Sequence, residues 1–345
     1  MMKFLIVVMV VIGVVGADQV GGAATLTNHN EASHRALCDF LKVAVDKWKE
    51  VKTRGPTDPL RKALKDTIFG YGSGDEDMEA LKSKLPRDYE EVWSGDLSSR
   101  TIWCGEQHEG YNGVNQARWS GHSAPHDMVC LCTVGNKGWP LNKSDATNPE
   151  KEQLCGKGPI ALKAGDDKGW MGSKSGKEQI EATWMNVTVP CLNSNGQGNK
   201  LKEAFQKFKN TLGPLVTGDP THQMLGEGNF SVYHGCDGSP KLGVCVVYFP
   251  NDKDTKPWWK DLEQAIKEDE EIKKRLADEE VARQKEQEKE RLPRAEAVTS
   301  SPPDTQDGAQ NKTDTLHDKL RKFNLTSGTP ISRPSSWLLS AAMLI

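Results

Sequence analysis

Cysteines are the residues of this sequence with the most informative chemistry. An even number of them in a chain with an export signal, described below, favours disulfide bonds. We predict four bridges among the eight cysteines, although their connectivity stays open. The first predicted helix contains Cys38, which we expect to tie the helices to the loops. The segment from Cys236 to Cys245 reads as a small hairpin with its own bridge as one option. The eight cysteines are Cys38, Cys104, Cys130, Cys132, Cys155, Cys191, Cys236 and Cys245.

A zinc site is the alternative for part of this set. His122, His126, Cys130 and Cys132 form an H-x3-H-x3-C-x-C pattern whose residue types suit zinc. However, the C-x-C spacing is shorter than that of structural zinc sites, and Pro125 interrupts a helix in this segment. We therefore favour disulfides and predict no metal and no other cofactor.

Motifs typical of enzymes are incomplete in this chain. Residues 172–177 (GSKSGK) approach a phosphate-binding loop, but they are one residue short, and Glu178 stands where Ser or Thr would meet magnesium. Lys174 occupies the position that serine needs in a nucleophile elbow. The acidic residues 75–77 lack the spacing of a calcium loop. We predict that the protein is not an enzyme and has no catalytic residues.

The beginning of the sequence predicts export. Residues 1–17 combine Lys3, an apolar run over 4–15 and small residues at a cleavage point, which are the parts of a secretory signal peptide. The apolar run is about 12 residues long, shorter than the ~20 that span a bilayer, which argues against a membrane anchor. We predict cleavage after Ala17.

The end of the sequence predicts a lipid anchor. Residues 337–345 are almost wholly apolar and follow a polar spacer over 330–336 and the small residues 327–329. Small triplet, spacer and apolar tail are the parts of a glycosylphosphatidylinositol (GPI) attachment signal. We predict Ser327 as the attachment residue, with Asn324 as the alternative. The competing interpretation is a hydrophobic C-terminal helix that docks on the core.

Five Asn-x-Ser/Thr sequons predict N-glycosylation at surface positions of an exported protein. Because such triplets also arise by chance, we expect only some of them to be occupied. The sequons are Asn142, Asn186, Asn229, Asn311 and Asn324.

Helices are the main elements expected to position these residues. The clearest is an amphipathic helix over 31–52, with an apolar seam spaced like the a and d positions of a coiled coil. A second helix fits 200–212. A third begins after Pro257 and runs to about 292; its first half is apolar enough to dock on the core, and its second half is charged and expected to project into water. Residues 55–199 lack a long periodic run and predict loops and short strands.

Composition supports one core with extensions. The hydrophobic fraction of the 345 residues is 36%, and the formal charge of −3 lacks the basic excess typical of a nucleic-acid-binding protein. We predict a signal peptide, a disulfide-rich domain, a charged helix, a flexible stalk and a removed anchor signal. Their respective boundaries are 1–17, 18–256, 257–292, 293–327 and 328–345.

A resemblance follows from the order of several motifs. Cys130-Leu131-Cys132 is followed by Cys155-Gly156, Gly169-Trp170, Trp184 and Cys191. With the early helix, the late charged helix and the anchor signal, this order resembles a trypanosome variant surface glycoprotein of the congolense-like type. The resemblance covers nearly the whole mature chain, although no cysteine follows Cys245, so we do not expect a second cysteine-rich domain.

The resemblance implies a mainly α fold of extended rod shape, a long antiparallel helical hairpin or bundle with disulfide-braced loops and short β segments. It also implies a homodimer that packs laterally with identical molecules in a dense coat on the outer leaflet of the plasma membrane, held there by lipid alone. Such a coat shields the cell from host antibodies and is exchanged in antigenic variation. The alternative is a GPI-anchored receptor of similar architecture that binds a host protein.

Overall fold

The computed structural model describes most of the chain between Leu26 and Glu296. The described residues are 26–94, 99–108, 116–141, 151–172, 174–194, 196–216, 219–229, 235–252 and 256–296. The predicted signal cleavage at Ala17, both anchor residues and the sequons Asn142 and Asn311 lie outside these ranges.

The described chain is mainly helical, as predicted, with a few short strands. In the described residues the α-helices are α1 (Glu31–Val51), α2 (Pro59–Phe69), α3 (Met78–Ser83), α4 (Glu90–Ser94), α5 (Arg100–Cys104), α6 (Ala124–Cys132), α7 (Lys177–Thr183), α8 (Val189–Cys191), α9 (Leu201–Lys209) and α10 (Trp258–Glu296). A π-helical turn, Trp184–Thr188, joins α7 to α8. The strands are β1 (Thr27–His29), β2 (Glu152–Leu154), β3 (Gly213–Val216), β4 (Asp219–Glu227) and β5 (Val244–Tyr248).

Helix α1 forms the centre of the core. Its predicted seam is wholly buried: Leu37, Leu41, Ala44, Trp48 and Val51. The helix begins after Asn30, a buried residue with a positive φ of 58°. The Asn30 side chain donates hydrogen bonds of 2.8 Å to the Leu131 and Val244 carbonyls, which fixes the start of α1 against α6 and β5.

Phe40 joins three helices on another face of α1. Its ring lies 5.8 Å from those of Phe205 and Phe208 in α9 and 5.2 Å from that of Trp258 in α10. Gln197, just before α9, donates its main-chain N–H to the Asp46 carboxylate, so α9 runs antiparallel to α1. Arg54, just beyond the end of α1, pairs with Asp269 of α10 at 2.7 Å. Because the start of α10, at Trp258, contacts Phe40 in the middle of α1, helices α1 and α10 run in the same direction.

The early part of α10 packs into the core through residues at helical spacing. The indole rings of Trp258 and Trp259 are buried, as are Leu262, Ala265 and Ile266. Every side chain over 270–289 is exposed. The helix continues through Pro293 to Glu296 rather than ending near 292. Among the described residues, no helix combines the length and apolar character needed to cross a membrane.

Two small sheets complete the fold. Strands β1 and β2 pair in parallel, and β3, β4 and β5 form an antiparallel sheet. The register of β4 and β5 runs from Gln223↔Tyr248 to Glu227↔Val244, and every residue of β5 is buried. The predicted hairpin between Cys236 and Cys245 is present as a tight turn with its own bridge: the Cys236 N–H donates to the Leu242 carbonyl at 3.1 Å, and the two cysteines are bonded to each other. The strand that follows this turn, β5, pairs with β4.

The prediction of loops and short strands over 55–199 missed the helices of this region: its described part contains α2 to α8 as well as the strand β2. Helix α2 carried a signal that the prediction missed: Leu60, Leu64 and Ile68 are spaced four apart and are buried. The Asp58 carboxylate accepts from the Arg61 N–H, and Pro59 occupies the first turn, so the start of the helix is capped as well.

Candidate functional site

All eight cysteines form disulfides, which confirms the prediction of four bridges. Cys38 of α1 pairs with Cys191 of α8, across a sequence separation of 153 residues. The other pairs are Cys104–Cys130, Cys132–Cys155 and Cys236–Cys245. Helix α6 carries two of the bonded cysteines, so it is tied covalently to α5 and to the chain after β2.

These bonds answer the zinc hypothesis in the described structure. The sulfurs of Cys130 and Cys132 are bonded to other cysteines, so they are not available as thiolate ligands. His126 is fully buried; its Nδ1 lies 2.8 Å from the Tyr89 hydroxyl and its Nε2 lies 2.9 Å from the Trp103 carbonyl. This geometry assigns the ring proton to Nε2, which donates to the carbonyl while Nδ1 accepts from the hydroxyl.

Burial keeps the core histidines neutral. It lowers the pKa of His126 to about 3, with nearby Arg118 adding to the effect and the Trp103 carbonyl opposing it. Burial also holds the pKa of His122 well below its ordinary value, and the His122 Nε2 lies 3.1 Å from the Tyr71 carbonyl. A ring nitrogen of His34 lies within 4.8 Å of the Cys38 and Cys191 sulfurs, but both sulfurs belong to one disulfide.

Asp127 is the polar centre of the core, although no motif in the sequence around it marks it as a functional residue. Its carboxylate is fully buried and accepts from the Gly121 N–H at 2.9 Å, the Tyr248 hydroxyl at 2.8 Å and the Trp258 indole at 2.7 Å. Burial raises its pKa to about 7, although the three donors oppose that shift. One side chain of α6 therefore holds a loop, β5 and α10 together.

Arg100 fills a matching role at the other end of α6. Its guanidinium is fully buried and donates to the carbonyls of Cys130, Thr133 and Trp170, at 2.5, 2.8 and 3.3 Å. It also lies 5.0 Å from the centre of the Trp170 ring. Burial lowers the Arg100 pKa to about 9, opposed by Asp237, so the group stays charged at neutral pH. A cation at the carboxyl end of a helix is favoured by the helix dipole.

The motifs that approached enzyme signatures have structural roles. Gly176 precedes α7 with a φ of 81° and lies so close to Trp170 that a Cβ would fall 2.4 Å from the Trp170 Cβ. Asp77 caps α3 by accepting from the Glu79 and Ala80 N–H groups. Glu76 forms ion pairs with Arg61 and Lys65, at 3.3 and 3.4 Å.

A surface cleft of about 380 Å³ lies beside α3. Charges of both signs line it, and two of them, Asp88 and Arg118, pair with each other at 3.1 Å. Its Ser73 hydroxyl bonds to the main chain of Asp75 rather than to a base. The described lining therefore offers no activated nucleophile.

The described sequons lie at the surface. Asn186 is exposed in the π-helical turn, and its Nδ2 donates to the Ala161 carbonyl at 2.8 Å. Asn229 is also exposed. Their occupancy stays a prediction.

A match to a protein-family model shows which family this chain belongs to. A family described as trypanosomal VSG domain matches residues 44–290, from the middle of α1 almost to the end of α10. The chain belongs to the trypanosomal VSG family. The matched range contains both buried polar residues, Asp127 and Arg100. It also contains every cysteine except Cys38. No curated protein matches the chain.

Membership in this family indicates the role of the protein. VSG proteins form the surface coat of trypanosomes and are structural rather than enzymatic, and this chain is accordingly a trypanosome surface coat protein. In such a protein the disulfides and the buried polar groups stabilise the fold, and the side chains outside them face solvent.

Proposed function

We propose that this VSG is a GPI-anchored coat glycoprotein that forms a dense steric shield on the cell and takes part in antigenic variation. The observation that carries the proposal is the family match over residues 44–290. Shielding needs a rigid body rather than a reaction centre, because the coat acts by excluding antibodies from the membrane below it.

The interior of the described chain supports this function. Asp127, Arg100 and His126 have the burial and shifted pKa values that are often found in active sites. Each of them nevertheless bonds to main-chain or core groups and is closed off from solvent. Perturbed titratable groups are therefore accounted for here by packing.

The terminal signals complete the proposal. The signal peptide would direct export of the chain and be removed by cleavage after Ala17, and attachment at Ser327, or Asn324, would place the chain on the outer leaflet of the plasma membrane through lipid alone. We further propose that it forms a homodimer and packs laterally with identical molecules, so that host antibodies meet only the exposed surface of the coat.

The test uses parasites that express the full-length chain. Treatment of intact cells with a phosphatidylinositol-specific phospholipase should release the protein, and quantitative surface proteomics should find it dominant at the surface. Protein that stays on the cells would count against the anchor. A scarce protein that retains one host protein stoichiometrically would instead support the receptor alternative.

A further inference from the structure

Asn186 lies in a segment that folds tightly into the core on one side. Its neighbours Trp184 and Val187 are 0% and 2% exposed, whereas the Asn186 side chain faces solvent. Five residues on, Cys191 is bonded to Cys38 of α1. The segment is therefore held both by packing and by a bridge across the chain.

Thr188, the residue that makes Asn186 a sequon, is hidden by this packing. It is 0% exposed, and among the described residues its Oγ1 has no hydrogen-bond partner. Recognition of Asn-x-Ser/Thr depends on the hydroxyl as well as on the asparagine amide. A transferase that met the folded protein would find the amide but not the hydroxyl.

A buried hydroxyl without a partner is unfavourable for folding, so packing does not explain Thr188 in preference to valine. A hydroxyl that is used before the segment folds accounts for the residue. This observation is independent of the exposure of Asn186.

We propose that Asn186 receives its glycan before residues 184–191 fold, and that packing of Thr188 and closure of the Cys38–Cys191 bridge then end access to the site. The inference deepens the proposed function, because it assumes that the chain is exported as a glycoprotein. Occupancy at Asn186 is thus set by competition between transfer and folding.

The transfer itself is an ordinary substitution. The Asn186 Nδ2 forms a bond to C1 of the first sugar of a lipid-pyrophosphate-linked oligosaccharide, and the bond from C1 to the phosphate oxygen breaks. The amide loses one proton to a base of the transferase, and the lipid pyrophosphate leaves with the electron pair of the broken bond.

The folded surface can hold the product. Nδ2 carries two hydrogens, of which one donates to the Ala161 carbonyl, so the other position is open to a sugar. The adjacent side chains Ile160 and Met185 are 86% and 45% exposed and leave space beside it. Folding after transfer is therefore compatible with the glycan.

The test compares the folded and the unfolded chain as acceptors. Folded, unglycosylated protein from cells treated with an inhibitor of donor synthesis is incubated with purified oligosaccharyltransferase and a lipid-linked oligosaccharide. The same protein, reduced and alkylated, is the second acceptor. We expect modification of Asn186, measured by mass spectrometry of its peptide, to be about tenfold or more slower in the folded chain. Equal rates would overturn the proposal.

Variants at Thr188 provide the matched controls in cells. Thr188→Ser keeps the sequon and Thr188→Val removes it while keeping the branched shape. We expect the valine variant to reach the cell surface folded and without a glycan at Asn186, and the wild type to carry one. Wild-type protein with glycans at other sequons and none at Asn186 would overturn this inference alone. A chain without any glycan would overturn it together with the proposed export.

Discussion

The Asp127 carboxylate of α6 accepts a hydrogen bond of 2.7 Å from the indole N–H of Trp258, the first residue of α10. The two residues are 131 positions apart in the sequence, and both are fully buried. The Trp258 ring also stacks on Phe40 of α1 and on Phe208 of α9. The hydrogen bond to Asp127 therefore fixes a ring at which α1, α9 and α10 meet. The start of α10 thus depends on a polar group as well as on apolar packing.

Substitution of Asp127 should destabilise the domain. Asp127→Asn keeps the shape but directs an amide N–H₂ toward groups that are themselves donors, so at least one buried donor loses its acceptor. We expect the free energy of unfolding to fall by about 2 kcal/mol or more, measured by urea denaturation at pH 7.5. Asp167→Asn, at an exposed position, is the control and should be neutral. Equal stability of the two variants would contradict the role assigned to Asp127.

Arg100 makes a similar prediction at the other end of α6. Arg100→Met removes the donors for three buried carbonyls, and we expect a loss of about 3 kcal/mol in urea unfolding. Arg100→Lys should lie between the methionine variant and the wild type, because a single ammonium cannot reproduce the forked geometry of the guanidinium. Arg87→Met changes an exposed arginine and serves as the control. A lysine variant as stable as the wild type would mean that charge alone suffices.

Local periodicity explains what the sequence could predict. The seam of α1 was predictable because its apolar residues repeat at helical spacing within about 15 residues, and the helix buries that same face. The four disulfides followed from cysteine number and the export signal. Both signals need no knowledge of distant contacts.

The polar centres were beyond sequence reasoning for the opposite reason. Nothing near Asp127 distinguishes it from a solvated aspartate, since Tyr248 and Trp258 reach it only after α6, β5 and α10 have packed. Arg100 has as its partners carbonyl oxygens, which every residue carries. The short helices between α1 and α9 were missed because each spans only a few turns and is stabilised by tertiary contacts and bridges.

The disulfides should differ in how much they stabilise the fold. Cys38–Cys191 has a sequence separation of 153 residues and Cys236–Cys245 one of 9, so the first restricts the unfolded chain far more. The chain-entropy argument gives losses of about 5 and about 3 kcal/mol when each pair is replaced by alanine. Urea unfolding of the two double variants measures the order. A larger loss for Cys236–Cys245 would show that contacts in the native state outweigh the loop entropy.

The pH dependence of stability should reveal the neutral state of His126. Its pKa is lowered to about 3 in the folded protein from an ordinary 6.5. Below pH 6.5 the unfolded chain takes up a proton that the folded chain refuses, so stability falls as the pH is lowered, by up to about 1.4 kcal/mol per pH unit. Asp127 acts in the other direction, because burial raises its pKa from 3.8 to about 7. The folded chain retains a proton there that the unfolded chain releases, and the resulting stabilisation is lost as the pH rises from 3.8 through about 7.

A comparison of two variants isolates the histidine from the other groups. His126→Gln can still donate to the Trp103 carbonyl but leaves the Tyr89 hydroxyl without its acceptor, so we expect a loss of about 1–2 kcal/mol at pH 7.5. That deficit should vanish or reverse by pH 4.5, because the variant has no proton to exclude at this position. Tyr89→Phe breaks the same hydrogen bond and retains His126. Its free energy of unfolding should therefore change with pH in parallel with that of the wild type. If the glutamine variant also runs parallel between pH 7.5 and 4.5, His126 takes up its proton equally in both states and is not held neutral by burial.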